Sequence, residues 1–188
     1  DANSLQHMDN ITSLAAYGIR TQGLNAFSFA VTRLANPVFS FVMIALTSLL
    51  LYFRYAKRGL SLWFLLANAS GSLGINPLVK SIIQRQRPEK AMRLVIEKTY
   101  SFPSGHAFAS MMLYGVILIL WVSCKASGKR HLATFGLRLI ILVIGCSRIY
   151  LGVHYLSDIL AGYSLGLSWL ILSYGLFGPN PSSQTQLP

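Results

Sequence analysis

His154 and Asp158 stand four positions apart, which on a helix puts them one turn apart on one face, where the carboxylate can accept the imidazole N–H. A histidine held this way is a better nucleophile or base. Arg148 lies six residues before it, and all three fall in the most apolar half of the chain. Ionisable groups at membrane depth cost about 2.5 kcal/mol or more on insertion scales, so such a cluster points to function. Two more clusters carry chemistry. Lys80 and Arg87, seven residues apart, can point to one side of a helix end. Ser104 is a good N-cap directly before an apolar run, Gly105 lets a ligand approach the backbone, and His106 sits in the first turn beside any anion bound there. Each cluster alone has a plainer reading: a basic flank of a membrane span, a capped helix with an interfacial histidine, or a buried Arg148 to Asp158 pair that fixes packing. Together, three cations, a helix N-terminus and two histidines suit a phosphate group with an in-line nucleophile and acid.

The elements that must position these residues are membrane helices. Of 188 residues, 53% are hydrophobic and 11% charged, and the mean hydropathy is +0.52, outside the range of an ordinary soluble domain. The formal charge of +11 is spread over short connectors, which with the long uncharged spans argues against a nucleic-acid partner and for anionic lipid. Cys124 and Cys146 lie in apolar runs without metal-ligand spacing and read as small core residues.

The pattern predicts an all-α polytopic helix bundle with five transmembrane helices and an N-terminal interfacial helix. Residues 1–33 carry a short apolar stripe, Ile11, Leu14, Ala15 and Ile19, continued by Leu24, Phe27 and Val31, which suits a helix at the membrane interface or one packed on the spans. The spans are residues 34–53, 59–79, 99–124, 132 or 137 to 153, and 158–177. Residues 34–178 form one transmembrane domain, and 179–188 a polar, disordered tail. Gly162 and Gly166 mark a close helix contact, within the chain or in a dimer; the oligomeric state stays open. Alternation of five spans brings residues 80–88, 103–106 and 148–158 to one membrane face. The other face carries Arg54, Lys57, Arg58, Lys125, Lys129 and Arg130, so the positive-inside rule makes the site extracytoplasmic.

In order, Lys80-x6-Arg87-Pro88, Pro103-Ser104-Gly105-His106 and Ser147-Arg148-x5-His154-x3-Asp158 resemble the three signature motifs of the type 2 phosphatidic acid phosphatase (PAP2) superfamily, with no departure at a signature position. The compact size resembles that of bacterial integral-membrane members, which implies an inner or plasma membrane location. Members usually have six spans; this chain shows five, so either the first is missing from the N-terminus or the amphipathic stretch substitutes for it.

The resemblance implies that His154 attacks phosphorus to give a phosphohistidine, that Asp158 holds its tautomer, and that His106 protonates the leaving oxygen and then activates water. Lys80, Arg87, Arg148, the Ser104 hydroxyl and the Gly105 N–H would bind the phosphoryl oxygens. With Asp158 committed to His154 and no carboxylate pair nearby, neither metal nor other cofactor is expected. Substrates implied by the family are phosphatidic acid, phosphatidylglycerol phosphate and undecaprenyl pyrophosphate, each with its tail in the bilayer. The alternatives are a lipid phosphotransferase with the same intermediate, a non-catalytic lipid-binding or transport protein, and haloperoxidase chemistry on vanadate, whose known enzymes are larger and soluble.

Overall fold

The computed structural model describes residues 2–54, 57–123 and 130–179. The described residues are helical with no strand: α1 (Ala2–Gly18), α2 (Gln22–Thr32), α3 (Pro37–Phe53), α4 (Arg58–Ser70), α5 (Asn76–Ile83), α6 (Gly105–Ser123), α7 (Arg130–Tyr150) and α8 (Leu156–Phe177). A π-helical turn, Gly71–Ile75, joins α4 to α5. Three helices are long and apolar enough to cross a membrane, namely Arg58–Ile83, His131–Tyr150 and Leu156–Phe177. A fourth results if Gln22–Ala35 and Pro37–Phe53, bent by 46°, count as one span, and Gly105–Ile119 is a shorter apolar helix. Every expected span is thus a helix, but with shifted bounds. The third starts at Gly105 rather than Thr99, because residues 99–104 form a loop whose carbonyls are taken by Lys80 and Arg87. The fourth ends at Tyr150.

Local chemistry explains where the helices begin. The Asn36 side chain accepts the Val38 N–H at 3.0 Å, and Pro37 at the first helical position has no N–H to lose. Thr21 caps α2 in the same way, accepting from Leu24 N at 3.2 Å. At the far end of α5, Gln84 adopts a left-handed conformation (φ 52°) and its N–H returns to Lys80 O, so the helix stops at Ile83, before Pro88 is reached. Arg87 therefore stands on extended chain and not on the helix that carries Lys80.

α6 is the central helix, packed most extensively against α8 and α7, with α4 and α3 beside it. Phe64, Ala67, Phe108, Met112, Leu113, Val116, Ile144 and Leu170 build the core from four helices. Aromatic polar tips tie neighbouring backbones together: Trp169 Nε1 donates to Ala67 O at 3.0 Å, and the Tyr114 hydroxyl to Leu34 O at 2.8 Å. The outside is apolar, with Phe41, Leu46, Phe53, Leu142, Leu160 and Ile171 exposed, whereas Arg148, His154 and Asp158 are inside. Such reversed polarity fits a lipid surround. Cys146, expected in the core, is exposed on this outer surface; Cys124 and residues 180–188 lie outside the described residues. α1 shares the pattern, exposing Leu5, Met8, Ile11 and Leu14 and burying Asp9 and Ser13.

Gly162 and Gly166 both face α6. A Cβ at Gly162 would stand 2.7 Å from Ser104 O and 2.9 Å from Ala107 Cβ, and one at Gly166 3.1 Å from Met111 Cβ. Gly162→Ala is expected to destabilise the protein by about 1–3 kcal/mol, since the backbone of α6 must retreat. Gly175→Ala is the control, because nothing lies within 4 Å of that position. Thermal unfolding in detergent checks both, with equal midpoints for the two variants counting against the close contact.

Candidate active site

The loop between α7 and α8 shapes the site. Gly152 has φ +72°, and a Cβ there would meet Met92 O at 2.0 Å, so only glycine lets the chain turn under the 90–92 segment. His154 follows in this turn, before α8, rather than one helical turn from Asp158 on a common helix as the spacing suggested. The pairing survives the change. Asp158, in the first turn of α8, directs Oδ2 back to Tyr155 N at 2.9 Å and to His154 Nδ1 at 3.4 Å, a long contact, while Oδ1 accepts from Arg85 Nη1 at 2.7 Å.

The contacts assign the imidazole tautomer. Arg87 Nη1 lies 3.2 Å from His154 Nε2, and a guanidinium can only donate. Nε2 therefore presents its lone pair and Nδ1 carries the proton toward Asp158. Burial, with His154 only 2% exposed, pushes this imidazole from its ordinary 6.5 down to about 4. The Asp158 hydrogen bond opposes the shift, and the charges of Arg87 and Arg148 add to it. The nitrogen lone pair is thus available at every pH above about 4. An imidazole ¹⁵N titration of labelled protein should place the His154 midpoint near that value; a midpoint at 6.5 would show the ring to be hydrated and unshifted.

The remaining sequence-derived residues converge on the same end of the bundle. Arg87, 9% exposed, donates through Nε to Thr99 O at 2.7 Å and through Nη1 to Val153 O at 2.7 Å, with Nη2 on Thr99 Oγ1 and Tyr100 O. Lys80 Nζ donates to Pro103 O at 2.6 Å, Tyr100 O at 2.9 Å and Ser101 O at 3.4 Å, so it clamps the loop that leads into α6. Ser104 precedes that helix, and its Oγ accepts from Ala107 N at 3.4 Å, the capping role its sequence position indicated. Gly105 opens α6, and His106 in its first turn feels the charges of Arg148, Arg87 and Lys80. A cavity of about 560 Å³ opens beside Lys80 and Arg87, lined also by Arg93, Glu97, Lys98 and Tyr100. No three His, Cys, Asp or Glu side chains are grouped to hold a metal among the described residues.

The plainer reading of Arg148, a packing pair with Asp158, is not what forms: its guanidinium makes a short hydrogen bond to Glu97 and donates to Thr32 Oγ1 at 2.9 Å. Arg85 takes the place beside Asp158, and it binds Asp9 as well. Sequence reasoning missed Arg85, Asp9, Ser157 and Glu97. One signal was available: the chain has only five acidic residues, and Asp9 interrupts an otherwise uncharged helix opposite its apolar stripe.

An all-helical membrane protein whose interior gathers arginines and two histidines around a helix N-terminus belongs to the class built for phosphoryl chemistry at the bilayer. Residues 60–181 match the model of the PAP2 superfamily, and the chain belongs to that superfamily, as an enzyme of the phosphoric monoester hydrolase type. It is 34% identical to phosphatidylglycerophosphatase B of Bacillus subtilis over 175 residues, 92% of this chain and 85% of that relative. Human dolichyldiphosphatase 1 is 26% identical over 158 residues, 77% of this chain and 63% of the relative. The crystal structure of a transmembrane PAP2 type phosphatidylglycerolphosphate phosphatase from Bacillus subtilis aligns with TM-score 0.83 at 31% identity, covering 98% of this chain and 89% of that one. LpxE of Aquifex aeolicus shares the fold, with TM-score 0.62 at 21% identity over 88% of this chain and 93% of that one.

Proposed function

We propose that the protein hydrolyses the terminal phosphate of a lipid phosphate, phosphatidylglycerol phosphate foremost, through a phosphohistidine on His154 and without a metal. The observation that carries the reading is the His154 contact set, with Nδ1–H toward Asp158 and the Nε2 lone pair turned to the guanidinium of Arg87. In the first step Nε2 forms a bond to phosphorus as the bond to the lipid oxygen breaks, and His106, entering as the imidazolium beside the bound phosphate anion, gives that oxygen its proton and becomes neutral. In the second, His106 takes a proton from water, the hydroxide oxygen bonds to phosphorus, and Nε2 leaves. Arg87 and Arg148 supply the positive charge for the phosphoryl oxygens, with the Ser104 hydroxyl and the Gly105 N–H at the start of α6. Lys80 holds the loop that places those two groups and adds its charge.

The cavity beside Lys80 and Arg87 is lined by neither histidine and borders the site through Arg87, so on this reading it receives the outer part of the headgroup while the tail runs laterally along the exposed apolar helices. The 34% identity to a phosphatidylglycerophosphatase favours that substrate over phosphatidic acid and undecaprenyl pyrophosphate. Arg54, Lys57 and Arg58, between α3 and α4, support an extracytoplasmic site in a bacterial membrane, whereas Lys125 and Lys129 lie outside the described residues. The test is phosphate release in detergent, with chelator present, from phosphatidylglycerol phosphate, phosphatidic acid and undecaprenyl pyrophosphate. Release unaffected by chelator, fastest with phosphatidylglycerol phosphate, supports the proposal. Loss of activity in chelator removes the metal-independent mechanism, and transfer of phosphate to a second lipid instead of water makes the protein a phosphotransferase.

A further inference from the structure

α1 brings a buried carboxylate to the catalytic end of the bundle. Asp9 is 2% exposed, its Oδ2 accepts from Arg85 Nη2 at 2.7 Å and from Ser157 Oγ at 2.5 Å, and its Oδ1 accepts the Ser157 N–H at 2.9 Å. Ser157 is the second residue of α8, so Asp9 satisfies one of the N–H groups that the start of a helix leaves without a partner. Asp158, one residue on, satisfies another through Tyr155 N. Arg85 joins the two acids: its Nη1 donates to Asp158 Oδ1 at 2.7 Å and to Ser157 Oγ at 2.6 Å, and its guanidinium lies 4.3 Å from the centre of the Tyr155 ring. A second tie holds the same segment. Arg20, just beyond α1, donates to Met92 O at 2.6 Å and Tyr150 O at 2.9 Å, which joins the 90–92 segment to the end of α7 beside Gly152.

From this geometry we infer that Asp9 and Arg85 are positioning residues for the nucleophile, acting through Asp158. Asp158 is fully buried and must stay anionic, and its Oδ2 is shared between Tyr155 N and His154 Nδ1. With Oδ1 fixed by Arg85, the carboxylate cannot rotate about its Cβ–Cγ bond, so Oδ2 keeps its aim at the imidazole. Asp9 holds Arg85 and the first turn of α8 in register with each other. The amphipathic N-terminal helix is on this account part of the active site. The inference rests on the phosphatase reading for its kinetic test, and on geometry alone for its spectroscopic one.

The experiment compares Asp9→Asn, Arg85→Gln and Arg85→Lys with the wild-type full chain, on whichever lipid phosphate the wild type turns over. Arg85→Gln is expected to lower kcat by about 10–100-fold with KM changed less than about threefold, since the phosphate contacts are untouched and only aim is lost. Asp9→Asn should lower kcat by about tenfold, and Arg85→Lys, which keeps the charge but cannot reach both acids with separate nitrogens, should recover only part of the loss. The Nδ1 proton resonance of His154, which needs no turnover, should shift in Asp9→Asn and Arg85→Gln. Unchanged kcat and an unchanged resonance in Asp9→Asn overturn the inference, as does a loss carried wholly by KM. Asp9→Asn changes one oxygen to nitrogen, so it decides the matter if Arg85→Gln fails to fold. A wild type inactive on every lipid phosphate would sink the phosphatase reading and leave the resonance to judge the positioning.

Discussion

His154→Ala is expected to lower kcat by on the order of 10⁴–10⁶, because the variant loses the nitrogen proposed to bond to phosphorus. Phosphate affinity should survive. Arg87 keeps its contacts to Val153 O, Thr99 and Tyr100 O, none of which involves the imidazole, and Arg148 is held by Glu97 and Thr32. Inorganic phosphate should accordingly bind the variant within about threefold of wild type, as expected when an interaction made only in the transition state is removed. Rapid quenching of the wild type with labelled substrate should trap an acid-labile, base-stable phosphoenzyme, and the variant should trap none. Label retained in His154→Ala would move the nucleophile elsewhere.

His106→Ala is the second large effect, about 10²–10⁴ in kcat, the usual contribution of a positioned acid or base. His106 is assigned both proton transfers, so the nature of the leaving group separates them. A lipid alkoxide needs a proton to depart, and with that substrate the variant should stall before the phosphoenzyme. An aryl phosphate whose phenol leaves as its anion needs none. With it, His106→Ala should form the phosphohistidine at near wild-type rate and then fail to hydrolyse it, giving a burst of one phenol per site. A variant equally slow in the burst with both substrates would limit His106 to binding. The pair of histidines thus yields opposite labelling patterns, none in one variant and accumulation in the other.

Much of this site was legible because its residues are chemically conspicuous in an apolar chain. Arg148, His154 and Asp158 could be singled out by cost alone, and Ser104 by its position before an apolar run. The bundle was legible for the same reason, since long uncharged runs have few other fates. What escaped was pairing. Arg148 and Asp158 lie ten residues apart and carry opposite charges, yet Arg148 turns to Glu97 and Asp158 to Arg85. Local spacing has no access to which side of α7 faces the 89–104 loop. The helical geometry assumed for Lys80 and Arg87 also failed, because Gln84 leaves the helix early without a glycine or proline to announce it. Asp9 was missed because it is 76 residues from Arg85 and 148 from Ser157, and no periodicity links helices so far apart in the chain.

The π-helical turn at Gly71–Ile75 gives the α4–α5 rod two phases. At its first residue, Gly71, the turn is keyed to the bundle, because a Cβ there would strike Phe108 and Trp169 at 2.9 Å. Above it the rod presents Lys80 to the carbonyls of Tyr100 and Pro103. An α-helix advances about 100° per residue, so one residue removed between these points would swing Lys80 a quarter-turn or more out of the site while leaving every side chain's identity intact. The tally of nine steps from Gly71 to Lys80 thereby sets where that ammonium points as firmly as the residue's identity sets its charge.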